Sequence, residues 1–238
     1  MEIDKTIEKW FEETKAILAK KKCSEDERFY KLCLNIIRIV KNYCKASLIL
    51  LDNNRKRPAM ALLRIQIELA AKFSWLINGK RENEFDVRLK KWENKTLSDR
   101  LKLRKDALEA LPKDERGREE KLNQIAEQVL KTTDLKCMPQ DRQLVEEMFS
   151  NEESVLHGVG LYRQFHSAVH PDILVIEAVE SQMPEETVEG DYGPKIEDLK
   201  LHSLVNFAWT IKPIYEYYDM DFEREVGSEV KKLVQSKK

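Results

Sequence analysis

A chain of 238 residues with only seven glycines and seven prolines has few places at which to turn tightly. Strands joined by hairpins spend those residues at every turn, whereas a long helix needs one breaker for many residues. The scarcity therefore predicts an all-α fold, an up-and-down helical bundle with an inserted charged helical hairpin. The length suits one core, read as a single helical domain over residues 1–238, with residues 80–135 as the hairpin insertion or arm.

The apolar spacing gives the order of the helices. Ile7, Trp10, Phe11, Ile17 and Leu18 repeat at helical intervals over residues 5–22, and Lys20-Lys21-Lys22 suits a helix C-terminus. Ser24, followed by Glu25, Asp26 and Glu27, reads as the cap of a second helix reaching about Leu51. After the polar turn Asp52-Asn53-Asn54-Arg55-Lys56-Arg57, Pro58 opens a third helix over residues 58–78. It is apolar on almost every side and is read as the central one. Its polar exceptions Arg64, Glu68 and Lys72 recur every fourth residue, so they form one stripe that either meets solvent or lines a site.

From Gly79 to about Thr133 charges of both signs interleave with a thinner leucine stripe, as in a projecting hairpin with Pro112-Lys113-Asp114 at its tip. A solvated charged face is the plain reading of this arm, and dimerisation through it is the sharper one. Residues 140–150 and 152–170 return to the core. An acidic loop follows over residues 181–195, then a long helix from Ile196 that Pro213 is expected to bend, then a short frayed helix after Gly227. Trp10, Trp75, Trp92 and Trp209 fall at apolar positions and are read as packing residues.

Composition narrows the function. Lys and Arg (42) nearly balance Asp and Glu (43), giving a net charge of −1, so no global basic field draws in nucleic acid and any RNA contact must be local. Lys20-Lys21-Lys22 and Arg55-Lys56-Arg57 are local basic segments of the kind that helix ends routinely carry. No apolar run approaches the ~20 residues that span a bilayer, and no secretory leader is visible, so the expected setting is the cytoplasm with no membrane association. Cys23, Cys33, Cys44 and Cys137 lack metal-finger spacing and read as reduced packing residues. Phosphate loops, nucleophile elbows and dinucleotide fingerprints are missing, which sets aside those chemistries. No cofactor is expected.

The chemistry-bearing cluster is Leu161-Tyr162-Arg163-Gln164-Phe165-His166-Ser167-Ala168-Val169-His170-Pro171, which holds two of the four histidines. At about 100° per residue, Arg163 and His170 share a helix face, with His166 one turn from His170. Pro171 disfavours the α conformation at His170 and so sets that histidine at the helix rim. An imidazole to move a proton and a guanidinium to bind charged oxygens are what metal-free RNA cleavage by the ribose 2′-hydroxyl requires. Arg163 and His170 are the catalytic candidates, with Arg64, Glu68, Tyr162, His166 and Ser167 supporting or positioning the substrate.

Arg163-x6-His170 is similar to the Arg-x(4–6)-His signature of the HEPN superfamily. That resemblance implies a HEPN-like fold and a metal-independent endoribonuclease related to toxins or defence, with Arg163 and His170 as the catalytic pair. It also implies a homodimer that assembles the site and an antitoxin or other regulatory protein as a partner besides RNA. Gln164 departs from the Asn, Asp or His that commonly follows the family's arginine. The segment Arg57–Leu69, together with Tyr162–Pro171, also resembles a widespread family of uncharacterised helical proteins with an Arg-x3-Glu helix and a later Tyr, Ser, His-Pro segment. This second resemblance covers about a third of the chain, leaves the arm outside, and implies that Arg64 and Glu68 face Tyr162, His166 and His170.

Two alternatives stand beside cleavage. Arg64, Glu68, Tyr162 and His170 can form a satisfied polar network in a non-catalytic interaction or nucleotide-binding module. His166 and His170 at i, i+4, with Glu68 as third ligand, can hold zinc in a metal-dependent hydrolase, although no His-Glu-x-x-His motif supports it.

Overall fold

The computed structural model describes residues 2–21, 27–110, 117–132, 138–149, 162, 165 and 194–235. The described elements are all helical, so the fold is an all-α helical bundle. In chain order they are α1 (Glu2–Lys21), α2 (Glu27–Asp52), α3 (Lys56–Arg81), α4 (Phe85–Ala110), α5 (Gly117–Thr132), α6 (Asp141–Phe149) and α7 (Ile196–Tyr217). A π-helical turn over Glu223–Gly227 then leads into α8 (Ser228–Gln235), and Tyr162 and Phe165 are helical as well.

Two compact units divide the chain, one of Met1–Ile77 with Asp141–Lys238 and one of Asn78–Gln140. In the first, α1 lies against α2 and α7, and α2 lies along α7. The stripe Ile3, Ile7, Trp10, Phe11 and Leu18 fills the α1 side of the core, while Phe29, Cys33, Ile36, Ile37, Val40 and Cys44 supply α2. At the margin between α1 and α2, Glu8 is held by Lys41 and Lys45. The Lys41 ammonium also sits 3.8 Å above the centre of the Phe11 ring, where the negative face of the ring attracts it. In the second unit α4 packs along α5. Lys105 pairs with Glu127 across that hairpin, and the expected tip at Pro112-Lys113-Asp114 lies outside the described residues.

Three of the described helices, α2, α3 and α7, stop without glycine. Asn54, Asn83 and Asp219 take positive φ of 56°, 60° and 54°, each just past a helix end. Each such end closes the same way: the next residue reaches five back (Arg55 to Leu50 O, Glu84 to Gly79 O, Met220 to Tyr215 O). The turn residue itself reaches three back (Asn54 to Leu51 O, Asn83 to Lys80 O, Asp219 to Glu216 O). These are Schellman closures, in which short polar side chains tolerate the left-handed conformation usually given to glycine.

The structure differs from the expected helices at the end of α3 and in the tail. The third helix does not end near residue 78 but runs through Gly79 to Arg81. Gly79 is there to let the Arg88 side chain approach, because a β-carbon would overlap it, and Asn83 makes the turn instead. Nor is the tail frayed over α8. The Trp10 indole donates to Glu229 Oε2 at 3.0 Å, Lys9 pairs with the same oxygen at 2.9 Å, and Val226 is fully buried. No described helix is long and apolar enough to cross a membrane.

Candidate functional site

No residue of α3 from Ala59 to Ile77 is exposed. Its polar stripe therefore sits within the unit's packing: the Arg64, Glu68 and Lys72 side chains retain 17%, 15% and 18% of their exposure, too little for freely solvated ions. Each charge is answered. Arg64 Nε donates to Glu68 Oε1 at 2.8 Å one turn on, and Lys72 Nζ lies 3.0 Å from Asp141 Oδ1 at the start of α6. The Tyr162 hydroxyl donates to the same Glu68 Oε1 at 3.2 Å, and the Arg64 guanidinium carbon is 5.6 Å from the centre of the Tyr162 ring. Arg64, Glu68 and Tyr162 thus form one contact group, built by the i, i+4 geometry of α3 and by a buried tyrosine 94 residues from Glu68.

The electrostatics follow from half-burial. Desolvation works against charge on Arg64, yet the hydrogen bond and attraction from Glu68 outweigh it and hold the guanidinium above its ordinary pKa. Burial first, and the Glu68 charge second, raise the Tyr162 phenol, so it stays a neutral donor. Arg64 Nη1 is buried and has no hydrogen-bond partner among the described residues. A buried donor left without a partner costs about 1–3 kcal/mol, more on a charged group.

Phe165, fully buried one turn after Tyr162, meets the His202 ring of α7 edge-on at 5.9 Å. Tyr162 is thereby tied to α3 and Phe165 to α7. A second polar layer sets the register of these helices. The Ser47 and Ser203 hydroxyls are 2.9 Å apart, Gln66 Nε2 donates to Ser47 Oγ at 3.3 Å, and Asn206 Nδ2 donates to Leu63 O at 3.2 Å. Gln66, on α3 between Arg64 and Glu68, is wholly buried.

Of the residues singled out in the sequence, Arg64, Glu68 and Tyr162 come together. Arg163, His166, Ser167 and His170 lie outside the described residues, as do Cys23, Cys137 and most of the acidic loop. No three His, Cys, Asp or Glu side chains among the described residues are grouped to hold a metal ion. Two neighbours of the site escaped the sequence reading, Asp141 and Arg142. The signal for Arg142 was present, because Arg142-x3-Glu146 repeats the spacing of Arg64-x3-Glu68, and its Nε likewise donates to Glu146 Oε1 at 2.8 Å.

A protein-family model described as a family of unknown function (DUF5677) matches residues 30–185. The match runs from α2 beyond the His170-Pro171 step and takes in the arm as well as Arg64, Glu68 and Tyr162. No curated protein and no solved structure matches the chain.

Proposed function

Because the chain belongs to DUF5677, a family of unknown function, we propose its activity from its own residues: a metal-independent endoribonuclease of HEPN type. The observation that carries this reading is the Tyr162–Glu68–Arg64 group, which fixes the residue next to Arg163 beside a guanidinium whose buried Nη1 has no hydrogen-bond partner among the described residues. In the proposed reaction His170 takes the proton of a ribose 2′-hydroxyl, and that oxygen attacks the adjacent phosphorus. The 5′-oxygen of the next nucleotide leaves and collects a proton, so the products are a 2′,3′-cyclic phosphate end and a free 5′-hydroxyl. Arg163 neutralises charge on the non-bridging oxygens, and Arg64 supplies a donor to the same phosphate region. A homodimer in the cytoplasm, restrained by an antitoxin or regulatory protein in a toxin or defence system, belongs to the same proposal.

The test is cleavage of mixed structured and single-stranded RNA in EDTA by wild type, Arg163→Ala and His170→Ala, each verified as folded. Wild type is expected to cut and leave cyclic phosphate ends, and both variants are expected to lose at least about a hundredfold in rate. Inactivity of wild type in EDTA that zinc reverses would favour the hydrolase with His166, His170 and Glu68. Inactivity under all conditions would return the site to the non-catalytic module. The feature that favours that second reading is Glu68 Oε1 itself, which accepts from both Arg64 and Tyr162 and so spends them on each other.

A further inference from the structure

The ion pair at the centre of the site has a counterpart on α6. Arg142 and Glu146 repeat the spacing and the bond of Arg64 and Glu68: in each, the arginine Nε donates to Oε1 of the glutamate one turn later at 2.8 Å. A guanidinium held through Nε is fixed in orientation and still carries donors on its terminal nitrogens. Those of Arg142 have no hydrogen-bond partner among the described residues, and its side chain is 63% exposed and so reachable from solvent. The two pairs are joined by a short chain of contacts. Tyr162 meets Glu68, Lys72 lies one turn beyond Glu68 on α3, and Lys72 grips Asp141, the residue before Arg142. Among the influences that raise the Arg142 pKa, the hydrogen bond to Glu146 comes first and the Tyr162 phenol contributes last.

We propose that Arg142 is a second phosphate-binding guanidinium of this site, which with Arg64 holds the phosphodiester backbone of an RNA strand alongside Tyr162. Nothing in the cleavage chemistry requires Arg142, so its role is positioning, and it rests on the ribonuclease reading above. Arg64, half-buried, serves the phosphate that reaches the interior of the site, whereas exposed Arg142 serves a neighbouring phosphate of the same strand. Glu146 keeps the Arg142 guanidinium in place before RNA arrives, which reduces the ordering lost on binding.

The experiment measures binding of a fluorescent single-stranded oligoribonucleotide across a salt series and cleavage of the same strand in EDTA. The proteins are wild type, Arg142→Ala, Arg142→Lys and Arg224→Ala, the last removing an exposed arginine elsewhere. Arg142→Ala is expected to weaken binding about tenfold and to lower the slope of log Kd against log salt by about one, the signature of one lost phosphate contact. Arg142→Lys should keep the slope and recover part of the affinity, and Arg224→Ala should match wild type. KM should rise in Arg142→Ala while kcat stays nearly constant. If wild type binds and cuts RNA but Arg142→Ala keeps its affinity and slope, Arg142 is not a phosphate ligand and the ribonuclease reading stands without it. If wild type neither binds nor cuts RNA, the ribonuclease reading falls and this inference with it.

Discussion

Glu68 accepts from two donors at a single oxygen, and Arg64 Nη1 is buried without a hydrogen-bond partner among the described residues. Cys44, by contrast, has its partner. Its thiol is fully buried and donates to Ser203 O at 3.4 Å, and burial pushes its pKa from the ordinary 9.0 up to about 12. Between those values the unfolded chain gives up a proton that the folded chain keeps. Stability linked to Cys44 is therefore fully present below pH 9 and declines as pH rises toward 12, by up to about 1.4 kcal/mol per pH unit. Urea midpoints at pH 8 and pH 10.5 should accordingly fall more in wild type than in Cys44→Ala, and in native protein at pH 8 Cys44 should resist thiol reagents. Rapid labelling of Cys44 under native conditions would contradict this. Single residues also show where the sequence was readable. Arg64, Glu68 and Lys72 announced themselves because charges at four-residue intervals break an apolar helix. Ser47, Ser203 and Asn206 did not, because small polar residues carry no sign of burial and their partners lie as far as 159 residues away.

Among the elements, α2, α3 and α7 depend on that buried polar layer for their relative register. Asn206 bonds Leu63 O at 3.2 Å and reaches Gln66 Oε1 at 3.4 Å. Asn206→Leu removes both donations and leaves Gln66 Oε1 without this donor in the core. The expected loss is about 2–3 kcal/mol in denaturant unfolding, larger than an exposed substitution on α2 such as Asn42→Leu would give. Equal losses in the two variants would show the layer to be incidental. Helix existence was legible from periodicity, but helix ends were not. The third helix is expected to end at residue 78, yet it runs on to Arg81, with Gly79 closely approached by Arg88 and Asn83 making the turn. A chain that assigns its turns to Asn and Asp conceals them among ordinary surface residues.

For the whole molecule, the Asn78–Gln140 unit is removable in principle. The first unit carries its own core, and the Lys72–Asp141 pair at 3.0 Å keeps its two cut ends close without help from the intervening residues. Joining Ile77 to Asp141 through a short glycine-serine linker should leave a cooperatively unfolding protein with a Tm within about 5 °C of the full chain, read by calorimetry. A non-cooperative transition would mean that the bundle needs its arm. The excised hairpin should be marginal alone, since Leu103, Leu122, Ile125 and Val129 are exposed on it. The helix that carries the site has a different fate over time. Neutral drift needs a face on which changes go unnoticed, and α3 from Ala59 to Ile77 presents none to solvent. A lineage that alters Arg64 must therefore reconcile Glu68, Tyr162 and the surrounding packing together, so new specificities in such proteins arise more readily from α6, where Arg142 faces water, than from the helix at the centre.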